Sequence, residues 1–511
     1  MWEKMCKKLL QKLSEGILDF KLFEDLFELA KDESEAEKSE LIEHLFSYIG
    51  INIWQDIFIY SFALKLSPKE KILSDFLYLL LSDNCLDWKQ MNFLYWQIGT
   101  AIFMTPEINN INTVKLSWKL LQKVFCMCKK ALELDLNPIP KEERNKELAV
   151  VITGQFLREQ HGPTKTALDR CYVLQKQLGK KVLLINTAEL LTMQGNLPFF
   201  GTVGGNYIPQ LLEEQTVNWK GETFQYYQCE NIMPDEDEII SLINAVKRLK
   251  PSVVVEIGGS SLVAGLINEM IPVLDVGTIQ SGCSQTLAKY QIINDNMLEY
   301  ANSLMEAMNK DKSHIIQGRF TFSLKKQTEI VKREDFGISE DAFVMAVVGA
   351  RLDEEIDESF MQFLDDTLRD NMRVAVIGKC DSFENKLSKH QRLKKCMFNM
   401  GFCSDILSRL ELCDLYINPT RRGGGTSVVE AMFKGKPAIT VNFGDVAGIV
   451  GDRFSCRDYS EMGKLIERYY EDKEFYNEQA KYAQQLADIY LDSDNEFVRI
   501  VKEYESKENN V

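Results

Sequence analysis

The residues whose types and spacing can do the most chemistry lie in the run NPTRRGGGTSVVEAMFKGKPAIT, 418–440. It sits between two apolar strand-like runs, 412–417 and 438–441, and reads as a loop, a helix and a turn into a strand. Gly423, Gly424 and Gly425 let the backbone approach a bound group closely, and Thr426 or Ser427 then supplies an N-cap hydroxyl. The helix is expected over about 428–433. Its first amides and the positive end of its dipole point toward the glycines, where a phosphate or a sugar hydroxyl is favoured. Glu430, one turn in, can accept two hydroxyl hydrogen bonds, which suits a ribose. Lys434-Gly435-Lys436-Pro437 closes the helix with a glycine and then a proline.

The rest of the chain supplies elements that can position such a loop. From 148 onward the texture is alternating: a β-rich run at 148–153, a loop with an amphipathic helix, and a second strand at 181–186. That is a βαβ unit and implies a parallel sheet. A helix at 236–249, a strand at 252–257, a Gly-Gly-Ser-Ser turn at 258–261, a helix at 262–270 and a strand at 271–276 continue it. Ligands on open α/β sheets collect at the carboxyl ends of strands, so Glu256, Ser260, Ser261 and Ser281 are cleft candidates. A second α/β half begins with a strand at 343–348, and 460–504 is helical.

The 418–440 run resembles the donor-binding segment of GT-B glycosyltransferases, especially the large retaining group called family 4. That family carries two glutamates eight positions apart. Glu430 matches the second, which holds the nucleotide ribose, and Arg422 stands at the place of the first, which faces the transferred sugar. The resemblance extends over roughly 148–500. It implies two facing Rossmann-like domains, with the donor on the second and the acceptor on the first. Gly162-Pro163-Thr164 looks like the glycine-bearing loop of the first domain, which brings His161, Gly162 and Thr164 to the cleft. A neutral imidazole there could hydrogen-bond an acceptor hydroxyl or a donor phosphate. The apolar, glycine-bearing 197–209 resembles a mobile acceptor-side loop. Arg351 stands where the family places a cation for the diphosphate, and its planar fork can pair with phosphate oxygens twice. The family's further lysine is replaced by Asp353-Glu354-Glu355, and Lys379 is the candidate substitute. Gly378 ends a strand where the base could lie, and Asp414 is taken as structural.

Composition sets the remaining bounds. At 511 residues the chain has room for several domains, read as an all-helical region 1–146, a first Rossmann-like domain 147–335 and a second 336–511 whose last helix crosses back. Apolar stripes at helical spacing, as at Leu9, Leu13 and Ile17, predict six to eight helices before 146, with Trp54, Trp88 and Trp96 in the core. A net charge of -16 argues against nucleic acid as partner. Twelve cysteines without regular spacing and four histidines support neither a zinc site nor a disulfide framework, and fit a reducing cytoplasm. No apolar run is long enough for a membrane span.

The resulting expectation is an α/β GT-B enzyme that needs neither metal nor cofactor. It would move a sugar from a nucleoside-diphosphate sugar, a UDP-sugar before others, to a polypeptide or a glycan. Arg422 in place of the first glutamate leaves an alternative open, a non-catalytic GT-B-like binding subunit of an assembly.

Overall fold

The computed structural model describes residues 2–159, 161–190, 198–200, 206–230, 233–278, 283–321 and 323–509. Two sheets organise it. The first takes strands β1 (Asn145–Thr153), β2 (Lys181–Asn186), β3 (Thr216–Trp219), β4 (Glu222–Gln228), β5 (Pro251–Ile257), β6 (Val273–Val276), β7 (Tyr290–Ile293) and β8 (Ile315–Gln317), in the order 3-4-2-1-5-6-7-8. All neighbours are parallel except the β3–β4 hairpin. The second takes β9 (Phe343–Gly349), β10 (Met372–Gly378), β11 (Met397–Gly401), β12 (Leu415–Asn418), β13 (Ala438–Val441) and β14 (Ser455–Cys456), in the order 11-10-9-12-13-14, all parallel. The central strands are apolar almost without a break, as in the buried Val150-Val151-Ile152 of β1 and Val344–Val347 of β9, because helices cover both faces. The β3–β4 hairpin, β7 and β8 were not read from the sequence.

Among the described residues, seven α-helices precede β1, Trp2–Ser14, Phe20–Ala30, Glu35–Phe46, Ile53–Leu66, Glu70–Ser82, Trp88–Met104 and Ile111–Leu132. The expected stripe is borne by Leu9 and Leu13, which are buried, whereas Ile17 lies beyond the first helix and is exposed. Trp88 is buried, and Trp54 and Trp96 pack partly buried against the core. These helices do not pack as a separate unit with a core of their own. Their core runs on into Val150, Ile152 and Val254 of the first sheet.

Polar contacts fix that union. Tyr95 Oη lies 2.7 Å from Ser260 Oγ and donates to Gln285 Oε1 at 2.9 Å, and Trp118 Nε1 donates to the Thr286 carbonyl at 3.2 Å. Phe199 inserts among Phe58, Phe62, Phe23 and Phe27, with its amide donating to Ser61 Oγ. The other face of the first sheet is covered in part by the final helix Ser493–Asn509, through Phe497, Ile500, Val501 and Tyr504.

Candidate functional site

In an open α/β sheet the binding crevice opens where neighbouring strands send their connections to opposite sides. In the second sheet that point lies between β9 and β12, and in the first between β1 and β5. The loop after β9 carries Arg351, and the loop after β12 carries 420–424, so topology alone brings these two together. From the first sheet, the loop after β1 leads into a helix, Gly162–Tyr172, that faces them.

The glycine loop ends on the helix Gly425–Phe433, which starts three residues earlier than the sequence suggested. Its N-cap is Gly424 in a left-handed conformation, φ 105°, and neither Thr426 nor Ser427 supplies the cap. A side chain at 424 would be strained there and would also meet Arg421 Nη2 at 2.9 Å. The first intrahelical bond runs from Val428 N to the Gly424 carbonyl, so the amides of Gly425, Thr426 and Ser427 have no helical acceptor. Ser427 Oγ instead donates to the Gly424 carbonyl at 3.0 Å and lies 2.9 Å from Tyr416 Oη. Glu430 is 6% exposed; burial pushes its carboxyl above the usual range, and the Lys165 ammonium at 3.4 Å pulls it back.

Arg351 lies beside the glycines, its Nη2 3.4 Å from where a Cβ on Gly423 would stand. Its side chain is 48% exposed and is held by Glu355 Oε1 at 3.1 Å. Phe103, from the helix Trp88–Met104, stands 5.5 Å from its guanidinium, within cation–π range. The other Glu355 oxygen takes Arg421 Nη1 at 2.6 Å. Arg421 is buried and also donates to Asn418 Oδ1 (2.8 Å), the Val348 carbonyl (2.6 Å) and Tyr416 Oη (3.1 Å). One carboxylate therefore clamps a buried arginine to an accessible one. Two residues of the acidic run that departs from the family pattern thus have structural work, Glu355 on the arginines and Asp353, which accepts from the amides of Asp381 and Ser382.

His161, Gly162 and Thr164 belong to the facing helix and its approach. Gly162 abuts the glycine loop, a Cβ there lying 3.9 Å from Thr426 Oγ1. Thr164 is fully buried and its hydroxyl accepts from Leu157 N at 2.9 Å, so it builds the loop rather than lining an open cleft. Its Oγ1 also lies 3.0 Å from His161 Nδ1. Burial and the nearby charge of Arg351 lower the His161 pKa to about 4. The imidazole is thus neutral near pH 7 and is a weak proton acceptor.

Other expectations move. Lys379 ends β10 beside the Arg351 turn, but its side chain is largely exposed and paired with Asp381 at 3.5 Å. Gly378 is required by packing: with φ 131°, any Cβ would run into the Gly349 carbonyl oxygen. Arg422 is partly buried, its guanidinium 5.4 Å from the Phe443 ring and its Nε without a hydrogen-bond partner among the described residues. Glu256, Ser260 and Ser261 are not open cleft residues. The N-terminal helices cover that end of β5, and Glu256 accepts from Ser261 N and Thr286 Oγ1. Asp414 is structural, accepting from Arg333 Nη2 and Val344 N. Ser281 and most of 197–205 lie outside the described residues. Among the described residues no group of three His, Cys, Asp or Glu side chains is placed to hold a metal ion.

Sequence reasoning missed Lys165, Glu355, Arg421 and Phe103. Arg421 adjoins the motif and its charge was legible; its burial was not. The other three are defined by partners 66 or more positions away along the chain, or on another element, which no local pattern reports.

Residues 329–486 match the family Glycosyl transferases group 1. No curated protein matches the sequence. Among solved structures, the UDP complex of Anabaena Alr3699/HepE is similar at 15% identity and TM-score 0.52, over 71% of this chain and all of that one. A glycosyltransferase from Rickettsia africae is similar at 11% identity and TM-score 0.51, over 72% of this chain and all of that one. An O-GlcNAc transferase variant from Thermobaculum terrenum is similar at 10% identity and TM-score 0.50, over 99% of this chain and 97% of that one. The glycine loop, the helix that follows it and Arg351 all lie inside the matched span, and the chain has the GT-B fold.

Proposed function

We propose that the chain transfers a sugar from a UDP-sugar to a hydroxyl of a polypeptide or a glycan, with retention at the anomeric carbon. The observation that carries this reading is the convergence, at one switch point, of three free helix amides, a buried Glu430 and the accessible fork of Arg351. In this reading the ribose diol bonds Glu430, and the diphosphate lies over the amides of 425–427 beside Arg351. As the sugar–phosphate bond breaks, negative charge grows on the diphosphate, and these preorganised donors stabilise it. The donor is a substrate, and no resident cofactor takes part. UDP is favoured because Alr3699/HepE, of similar fold, was solved with UDP.

Retention is supported by His161. A histidine held near pKa 4 is a poor base, which leaves the departing phosphate to take the acceptor proton on the same face. An acceptor reaching Arg351 passes Phe103, so the N-terminal helices form part of its approach. The reading carries with it a cytoplasmic location, where all twelve cysteines would stay as the free thiols found here.

The test is a thermal-shift titration with UDP, GDP, ADP and their sugars, since a ligand that binds the folded state raises the melting point. Glu430→Gln should weaken UDP binding by about 1–3 kcal/mol, the worth of a charge-assisted hydrogen bond. Unchanged affinity removes the ribose role. Anomeric NMR of the product reads the stereochemistry, and an inverted bond rejects retention.

A further inference from the structure

Lys165 approaches the donor loop from the opposite half of the molecule. Lys165, one turn into the helix Gly162–Tyr172, reaches across to Glu430 Oε1 at 3.4 Å. The two side chains are 13% and 8% exposed, so this ion pair is nearly dry. A lysine ammonium has three N–H donors, and Glu430 is the one hydrogen-bond partner found for this one among the described residues. A pair so buried recovers its desolvation cost only when further hydrogen bonds complete both groups. Here they are incomplete on the lysine side, and the contact is long for a charge-assisted bond. The same loop carries features that favour an anion: the starts of two helices abut at Gly162 and Thr426, and Arg351 lies beside Gly423.

We propose that Lys165 is a donor-contacting residue supplied by the first Rossmann-like half, its ammonium bridging Glu430 and the diphosphate of the bound nucleotide. This rests on the UDP-sugar reading above and adds the group through which the acceptor-side half senses the donor. Glu430 takes the ribose hydroxyls while Lys165 keeps it ionised, and the two remaining N–H donors go to phosphate oxygens. Binding then completes the hydrogen bonding of the Lys165 ammonium, and the donor joins the two halves.

The experiment is calorimetric titration of UDP and of uridine into the full chain, for the wild type, Lys165→Met and Lys165→Arg, each also in a Glu430→Gln background. Lys165→Met should lose about ten- to a hundredfold in UDP affinity, as expected for a charged hydrogen bond, and about threefold or less for uridine. Lys165→Arg should keep most of the UDP affinity, and the Lys165→Met loss should persist beside Glu430→Gln. Equal losses for uridine and UDP would overturn the proposal, as would a loss that vanishes with Glu430→Gln, which would make Lys165 a mere orienter of the carboxylate. Unchanged or tighter UDP binding would overturn it too, marking the ion pair as a simple latch. Should Lys165→Met fail to fold, Lys165→Gln carries the same comparison. A wild type that binds no UDP removes the donor reading itself, and this proposal with it.

Discussion

Arg421 offers the sharpest test of how the glycine loop is held. It is buried and donates to four acceptors, and its partner Glu355 has a side chain only 9% exposed. Arg421→Met removes the charge and every donor at once. Glu355 is then left with Arg351, which is half in solvent, while Asn418 Oδ1 and the Val348 carbonyl lose a donor inside the core. Breaking a buried pair by removing one partner costs about 3–5 kcal/mol, and the orphaned acceptors place this case at the upper end. Replacing both partners, Arg421→Met with Glu355→Met, removes the uncompensated carboxylate and should recover at least about 1 kcal/mol over the single variant.

The six tryptophans all precede residue 220, so tryptophan fluorescence is blind to the second sheet. Urea unfolding followed by far-UV circular dichroism, with hydrogen exchange of β9 and β12, reads it directly. A coupling below about 0.5 kcal/mol between the two positions would refute a buried pair that organises this loop. The single variant should also bind UDP more weakly, because the whole Glu355 carboxylate becomes available to hold Arg351 away from a phosphate.

Two further outcomes follow from the same site. Arg351→Ala should weaken UDP binding and slow transfer while leaving uridine affinity nearly unchanged, because its partner is the diphosphate; equal losses for UDP and uridine would reject that division. His161 has a folded pKa near 4 against an ordinary 6.5, so the unfolded chain takes up this proton first as pH falls. Its contribution to stability is complete above pH 6.5 and is lost between there and 4, on the order of 3 kcal/mol at most. His161→Gln should flatten the fall of melting temperature between pH 7 and 4.5, and parallel profiles for the two proteins would show that His161 is not buried as a neutral ring.

The second α/β half and its glycine loop were legible because their signals are local. Three glycines, a glutamate one turn into the following helix and a Gly-Lys-Pro stop are consequences of backbone conformation, capping and dipole that neighbouring residues report to one another. The alternation of apolar strands with amphipathic helices likewise gave the parallel sheets, since strands buried on both faces must be continuously apolar. The cap itself was misassigned, because choosing Gly424 over Thr426 depends on a left-handed φ at 424, where a Cβ would also meet Arg421 and Val446.

What the fold alone decided lies where distant segments meet. Glu256, Ser260 and Ser261 sit at a strand end, as a cleft residue should, yet Tyr95 and its helix cover them; helical stripes reveal that a face is buried but not against what. The cross-cleft Lys165–Glu430 pair joins residues 265 positions apart, and Phe103 reaches Arg351 from a helix that no local pattern places there. Local periodicity determined the elements and the glycine loop. Which charges face one another across the cleft depends on how two sheets and a helical layer dock, and that is set by long-range packing.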